Sequence, residues 1–85
     1  MKQHINSAFA HFAAQLKGRR KALGLSQEAL ALMADVDRTF VSQIERGIGN
    51  PSLLIMTRLA AALDVELHQL LKPEPPTHQD FDHSP

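Results

Sequence analysis

Hydrophobic positions recur at helical spacing almost from the start of the chain, and nowhere do they alternate with period two for long enough to build a strand. Phe9, Phe12, Ala13, Leu16 and Leu23 fall near one face of a first helix, with Asn6 or Ser7 as its cap. Gly18 weakens that helix by about 1 kcal/mol relative to alanine, and Gly24 ends it. Ser26 caps a second helix, with Leu25 before it and Leu30 within it placed as a hydrophobic staple. Asp35 interrupts this helix after Ala34. Asp37 then caps a third, Val36 and Val41 repeat the staple, and Gly47 closes it. Asn50-Pro51-Ser52 opens a fourth helix, with the proline suited to its first turn, and the apolar stretch Leu53 to Leu63 carries it. Leu67, Leu70 and Leu71 mark a fifth before Pro73. The pattern predicts an all-α bundle of five short helices with tight connections.

The second and third helices are separated by so few residues that they must meet at a steep angle, and the residue types fit such a corner. Leu30 and Ala34 face inward from the second helix, Val36 fills the corner, and Val41 and Ile44 face inward from the third. Ala31 is small where the two backbones come closest. This is the arrangement of a helix-turn-helix, whose second helix lies in the DNA major groove. On the third helix, Arg38, Ser42, Arg46, Thr39 and Gln43 occupy an uninterrupted polar arc from about 60° to 200° around the axis from Val41. Arg and Gln have the reach to bond guanine and adenine edges, and the Thr39 methyl suits a thymine methyl. Phe40 borders the arc. The free N–H groups at the helix start favour a phosphate, whereas Asp37 weakens the field there.

Length and charge set the boundaries. The chain has 85 residues, 44% of them hydrophobic and 21% charged, which allows one small domain. Nine basic and nine acidic residues cancel overall. Residues 1–72 nevertheless hold all nine Lys and Arg against six acids, a balance of +3, while residues 73–85 hold Glu74, Asp80 and Asp82, a balance of −3. That last stretch carries four of the five prolines and one large apolar residue, Phe81, so it is expected to be a flexible acidic tail behind a domain spanning 1–72. There is no cysteine, hence no disulfide framework and no thiolate zinc site. No apolar run approaches the roughly 18–20 residues that span a bilayer, and Met1 to His11 lacks the layout of a secretion signal, so a cytoplasmic protein is expected. All four aromatic residues are phenylalanine, which argues against a stacking platform for single strands.

The segments Leu23-Gly-Leu-Ser-Gln-Glu-Ala-Leu-Ala31, Asp37-Arg-Thr-Phe-Val-Ser-Gln-Ile-Glu-Arg-Gly47, Asn50-Pro-Ser-Leu53 and Leu59-Ala-Ala-Ala-Leu63 resemble the Cro/cI-type helix-turn-helix family. That family embraces phage repressors, xenobiotic-response-element regulators, antitoxins and restriction–modification controller proteins. The likeness runs from about Phe12 to Leu71, with the motif at about 27–46, and implies a five-helix lambda-repressor-like domain binding double-stranded operator DNA as a homodimer. Carried over by position, the resemblance implies base contacts from Arg38, Thr39 and Gln43, with Ser42 beside them. It implies phosphate contacts from Gln27, Arg46 and Asn50, and a structural ion pair between Arg20 and Glu45. Two positions depart from the family: Asp35 at the corner and Asp64 between the last two helices stand where glycine is usual. Aspartate tolerates left-handed backbone better than most residues, so a cost of about 1 kcal/mol is expected rather than a lost corner.

Lys17, Arg19 and Lys21 add a basic stripe that is either a solvated helix face or a further phosphate contact. The fourth helix is apolar almost all round, more than one core-facing stripe requires, which points to a second buried surface. Leu54, Ile55, Ala61, Leu67 and Leu70 are the candidates for a homodimer contact there. Five scattered histidines, with His4 and His11 seven apart, do not compose a closed metal site, and no cofactor is expected. Ser26 and Ser42 lack a histidine and orienting acid in a triad pattern, so no enzyme is expected. The reading is a sequence-specific transcription regulator, a repressor acting as a homodimer on a palindrome. The alternatives are an antitoxin-like module for a co-encoded partner protein and a restriction–modification controller.

Overall fold

A computed structural model describes residues 2–73, and the acidic stretch from residue 74 onward, including most of the expected tail, lies outside the described residues. Five helices follow one another: α1 (Lys2–Ala22), α2 (Gln27–Ala34), α3 (Arg38–Glu45), α4 (Leu53–Ala62) and α5 (Leu67–Leu70), with no strand among the described residues. Helix periodicity gathers Phe12, Leu16, Leu30, Val41, Ile44, Leu59, Leu63 and Leu70 into one buried core to which every helix contributes.

The interior ends are set by local chemistry. Ser26 Oγ accepts the Ala29 N–H at 2.9 Å to start α2, and Asp37 Oδ1 accepts the Thr39 N–H at 2.8 Å to start α3. Past α3, the Gly47 N–H reaches the Ile44 carbonyl and the Ile48 N–H reaches that of Gln43, both at 2.9 Å, with Gly47 at φ 77°. Asp35 and Asp64, where the family carries glycine, adopt φ 59° and 61°. Both corners are therefore kept in left-handed geometry by aspartate. Asp35→Gly is expected to raise stability by about 0.5–1 kcal/mol, since relief of the side-chain clash exceeds the extra entropy of the unfolded chain. Denaturant unfolding at neutral pH checks this, and an unchanged or lowered midpoint would refute it.

Several boundaries differ from the sequence expectation. α1 begins at Lys2, so Asn6 and Ser7 lie inside the helix rather than at its start; no glycine or proline interrupts the chain before Gly18 to stop it. Leu23 is 58% exposed, because α1 ends at Ala22 and the chain turns through Gly24 to pack Leu25 against the core in its place. Pro51 stands ahead of the first turn of α4: Ser52 is the cap, and its Oγ accepts the Ile55 N–H at 3.2 Å. Leu70, expected at a contact between subunits, is 0% exposed and belongs to the core of its own chain, since the single turn of α5 points it inward beneath α1 and α4.

Candidate nucleic-acid interface

α3 sorts its residues by the 100° step of the helix. Val41 and Ile44, at 0% and 1% exposure, are driven into the core by their hydrocarbon side chains. Arg38, Thr39 and Arg46 are exposed on the opposite side, with Ser42 and Gln43 half-buried between. Gln43 is shielded by the following loop, where a Cβ added to Gly49 would lie in ordinary contact, 3.6 Å, with the glutamine Cβ and Oε1. Phe40 borders the arc at 40% exposure. Asp37 sits at the head of the helix. The Thr39 N–H, and after it the Thr39 hydroxyl, hold its carboxyl below the usual carboxylate range, so it stays charged at neutral pH.

Beneath this face a buried ion pair fastens three helices. Arg20 Nε donates to Glu45 Oε2 at 2.6 Å and Nη2 to Oε1 at 2.9 Å, a bidentate fork; the two side chains are 10% and 2% exposed. Arg20 Nη1 also donates to the Leu25 carbonyl at 2.6 Å, so the same guanidinium ties down the α1–α2 connection. Burial pushes the Glu45 carboxyl up, but bonds from Arg20 and Gln27, aided by the charges of Arg20 and Lys17, outweigh it and leave the group below its ordinary value. The bond to Glu45 raises the Arg20 pKa despite its burial.

Gln27, expected at a phosphate, is half-buried at the start of α2. One of its Nε2 hydrogens is donated to Glu45 Oε1 at 3.0 Å, which ties the start of α2 to the ion pair. This hub has a second effect. It draws the end of α1, the start of α2 and the end of α3 together, with Lys17 near enough for its charge to act on Glu45, while Arg19 and Lys21 are exposed on opposite flanks of Arg20 and Arg46 is exposed at the end of α3. Asn50 is exposed in the α3–α4 loop.

The far side carries the apolar surplus. Along α4, Leu59, Ala60 and Leu63 are buried, whereas Leu53 and Leu54 remain 65% and 58% exposed and Ala61 is exposed. Ile55 and Leu67 are half-buried against the core edge. An open groove of about 460 Å³ between α4 and α5 is lined by Thr57, Ala61, Val65 and Leu67 among others. Sequence reasoning did not single out Arg58, whose Nη1 donates to the Asp35 carbonyl at 3.2 Å across the corner of the motif. No local signal marks such a contact, since it depends on how α4 crosses α2. Among the described residues there is no cluster of three metal-ligating side chains, and no helix is long and apolar enough to cross a membrane.

Two helices at a tight corner, the second with a hydrogen-bonding outer face, define a helix-turn-helix protein. The family profile described as Helix-turn-helix matches residues 16–70, and the chain belongs to that Cro/cI-type family of DNA-binding transcription regulators. It is 39% identical over 67 residues to the control protein C.MunI of a Mycoplasma species, covering 78% of this chain and 90% of that protein. The crystal structure of the restriction-modification controller protein C.AhdI from Aeromonas hydrophila matches at TM-score 0.69 and 44% identity, over 73% of this chain and 94% of the other. The regulator SinR of Bacillus licheniformis is 37% identical over 67 residues, and this chain spans 60% of its length. The structure of SinR in complex with DNA matches at TM-score 0.67 and 37% identity, over 72% of this chain and 98% of that one.

Proposed function

We propose that the chain is a sequence-specific repressor that binds a palindromic operator as a homodimer through the outer face of α3. The observation that carries it is the sorting of α3: Val41 and Ile44 anchor in the core while Arg38, Thr39, Ser42 and Gln43 line the opposite side. In this arrangement Arg38, Thr39 and Gln43 meet base edges in the major groove, with Ser42 beside them. Arg46, Asn50, Lys17, Arg19 and Lys21 meet phosphates on either flank. Gln27 contributes through its backbone N–H at the start of α2 while its side chain stays with Glu45. The activity is binding without catalysis, exercised in the cytoplasm on the nucleoid. The likeness to C.MunI and C.AhdI favours a controller of restriction–modification genes as the narrower role.

A balance of only +3 over residues 1–72 gives one copy little electrostatic hold on a duplex, so pairing has to supply much of the affinity. The contact surface proposed is Leu54 and Ala61 on α4 with Ile55 and Leu67 at its margin, where exposed hydrocarbon adjoins the α4–α5 groove. Ala61→Glu adds a charge at an exposed position, so it should leave the fold intact yet produce monomers, with operator affinity falling at least tenfold. Sedimentation velocity and fluorescence anisotropy at two salt concentrations test both parts. Wild-type monomers with undiminished affinity for a single half-site would refute the homodimer. Absence of any preferred duplex at either salt concentration would refute sequence-specific binding.

A further inference from the structure

Asp35 is the pivot between α2 and α3. Its backbone is left-handed at φ 59°, ψ 49°, a region that a residue with a side chain enters only at a cost. The N–H groups of the turn point back into α2: that of Asp35 to the Leu32 carbonyl at 3.2 Å, and that of Val36 to the Ala31 carbonyl at 3.0 Å. The Asp35 carbonyl instead receives Arg58 Nη1 at 3.2 Å. Arg58 leaves α4 directly before Leu59 and Ala60, both buried, so the base of its side chain is fixed to the core. Only Val36 and Asp37 separate Asp35 from α3. Rotation about ψ of Asp35 therefore swings the carbonyl and carries α3 with it; the direction of that C=O and the direction of α3 are largely one degree of freedom.

We infer that Arg58 is a positioning residue for α3: by donating to the Asp35 carbonyl it holds the corner torsion and sets the angle at which Arg38, Thr39, Ser42 and Gln43 meet a duplex. Its role in binding rests on α3 being the base-contacting helix. A surface arginine with only a solvating role would leave the corner unaffected when removed. A phosphate-contacting arginine would act through charge, on every sequence alike.

Arg58→Met and Arg58→Lys, made in the full chain, separate these. In the free protein, hydrogen exchange at the Val36 amide should quicken about tenfold in Arg58→Met, with core amides such as those of Leu16 and Ile44 unchanged. Affinity for a preferred duplex should fall about fivefold to tenfold, while non-specific affinity and the slope of log K against log salt stay as in wild type. Arg58→Lys, which keeps the charge but not the planar reach, should restore neither measure in full. Unchanged exchange at Val36 overturns the proposal, as does quickened exchange with undiminished specific affinity. A uniform loss across sequences with the salt slope reduced by about one, rescued by lysine, assigns Arg58 to a phosphate instead. Exchange is read without DNA, so failure of the corner contact is distinguishable from failure of α3 to read bases.

Discussion

Glu45→Ala is expected to lower the melting temperature by about 15 °C, corresponding to about 3 kcal/mol, because it strands a buried guanidinium. Glu45 accepts from Arg20 twice and from Gln27 once, and the Arg20 and Glu45 side chains are 10% and 2% exposed, so little water can replace the carboxylate at the guanidinium. A domain of this size holds roughly 5–8 kcal/mol in all, which makes the loss a large fraction of its stability. Arg20→Met combined with Glu45→Leu removes both charges and should recover part of the loss, since the cost lies in the orphaned charge more than in the absent bond. The pH dependence carries the same signature. The folded carboxyl lies below its ordinary value. Its contribution is therefore complete above about pH 4.3, the value for an unfolded glutamate, and is lost as the pH falls through the folded pKa. The melting-temperature gap between wild type and Glu45→Gln should accordingly narrow below about pH 4.3. Equal melting temperatures for wild type and Glu45→Ala at neutral pH would show that the ion pair adds nothing to stability.

Arg38→Ala is expected to weaken binding to the preferred duplex by about 1–3 kcal/mol and to relax the preference at one base pair of each half-site. Arg38 is the first residue of α3 and is exposed, so its loss should leave the fold unaltered. Selection of bound sequences from a random duplex pool, with wild type and variant in parallel, checks both parts. Equal weakening for every sequence would make Arg38 a phosphate contact and leave base discrimination to Thr39, Ser42 and Gln43. The two effects separate cleanly. Loss of Glu45 should act on the fold and so on every sequence alike, whereas loss of Arg38 should act on recognition.

The motif was legible because its signals are local and mutually consistent. Ser26 and Asp37 announce helix starts by their own hydrogen-bonding chemistry, and the spacing of Leu30, Ala34, Val41 and Ile44 points each inward. Asp35 and Asp64 keep left-handed corners, as the limited tolerance of aspartate for that region allows. The Arg20–Glu45 pair came from the family resemblance; their separation by 25 residues carries no periodic signal of its own. Elsewhere long-range packing overrides a local cue. A one-turn helix rich in leucine has no period from which to tell Leu70, which is buried, from Leu67, which stays at the edge. Asn6 and Ser7 look like caps, yet helix continues through them. The bond from Gln27 to Glu45 joins residues 18 positions apart and likewise carries no periodic signal. Arg58 left no trace in the sequence, since its acceptor is a backbone carbonyl 23 positions away.

In the proposed complex one face of α3 enters a duplex while the other stays in the core. An NMR titration of the isotope-labelled chain with a duplex selected from a random pool tests it most directly. The expected result is intermolecular contacts from the side chains of Arg38, Thr39, Ser42 and Gln43 to major-groove protons, with the Val41 and Ile44 methyls still buried in the core. Contacts confined to the α4–α5 surface, with the α3 side chains unperturbed at saturation, would contradict it.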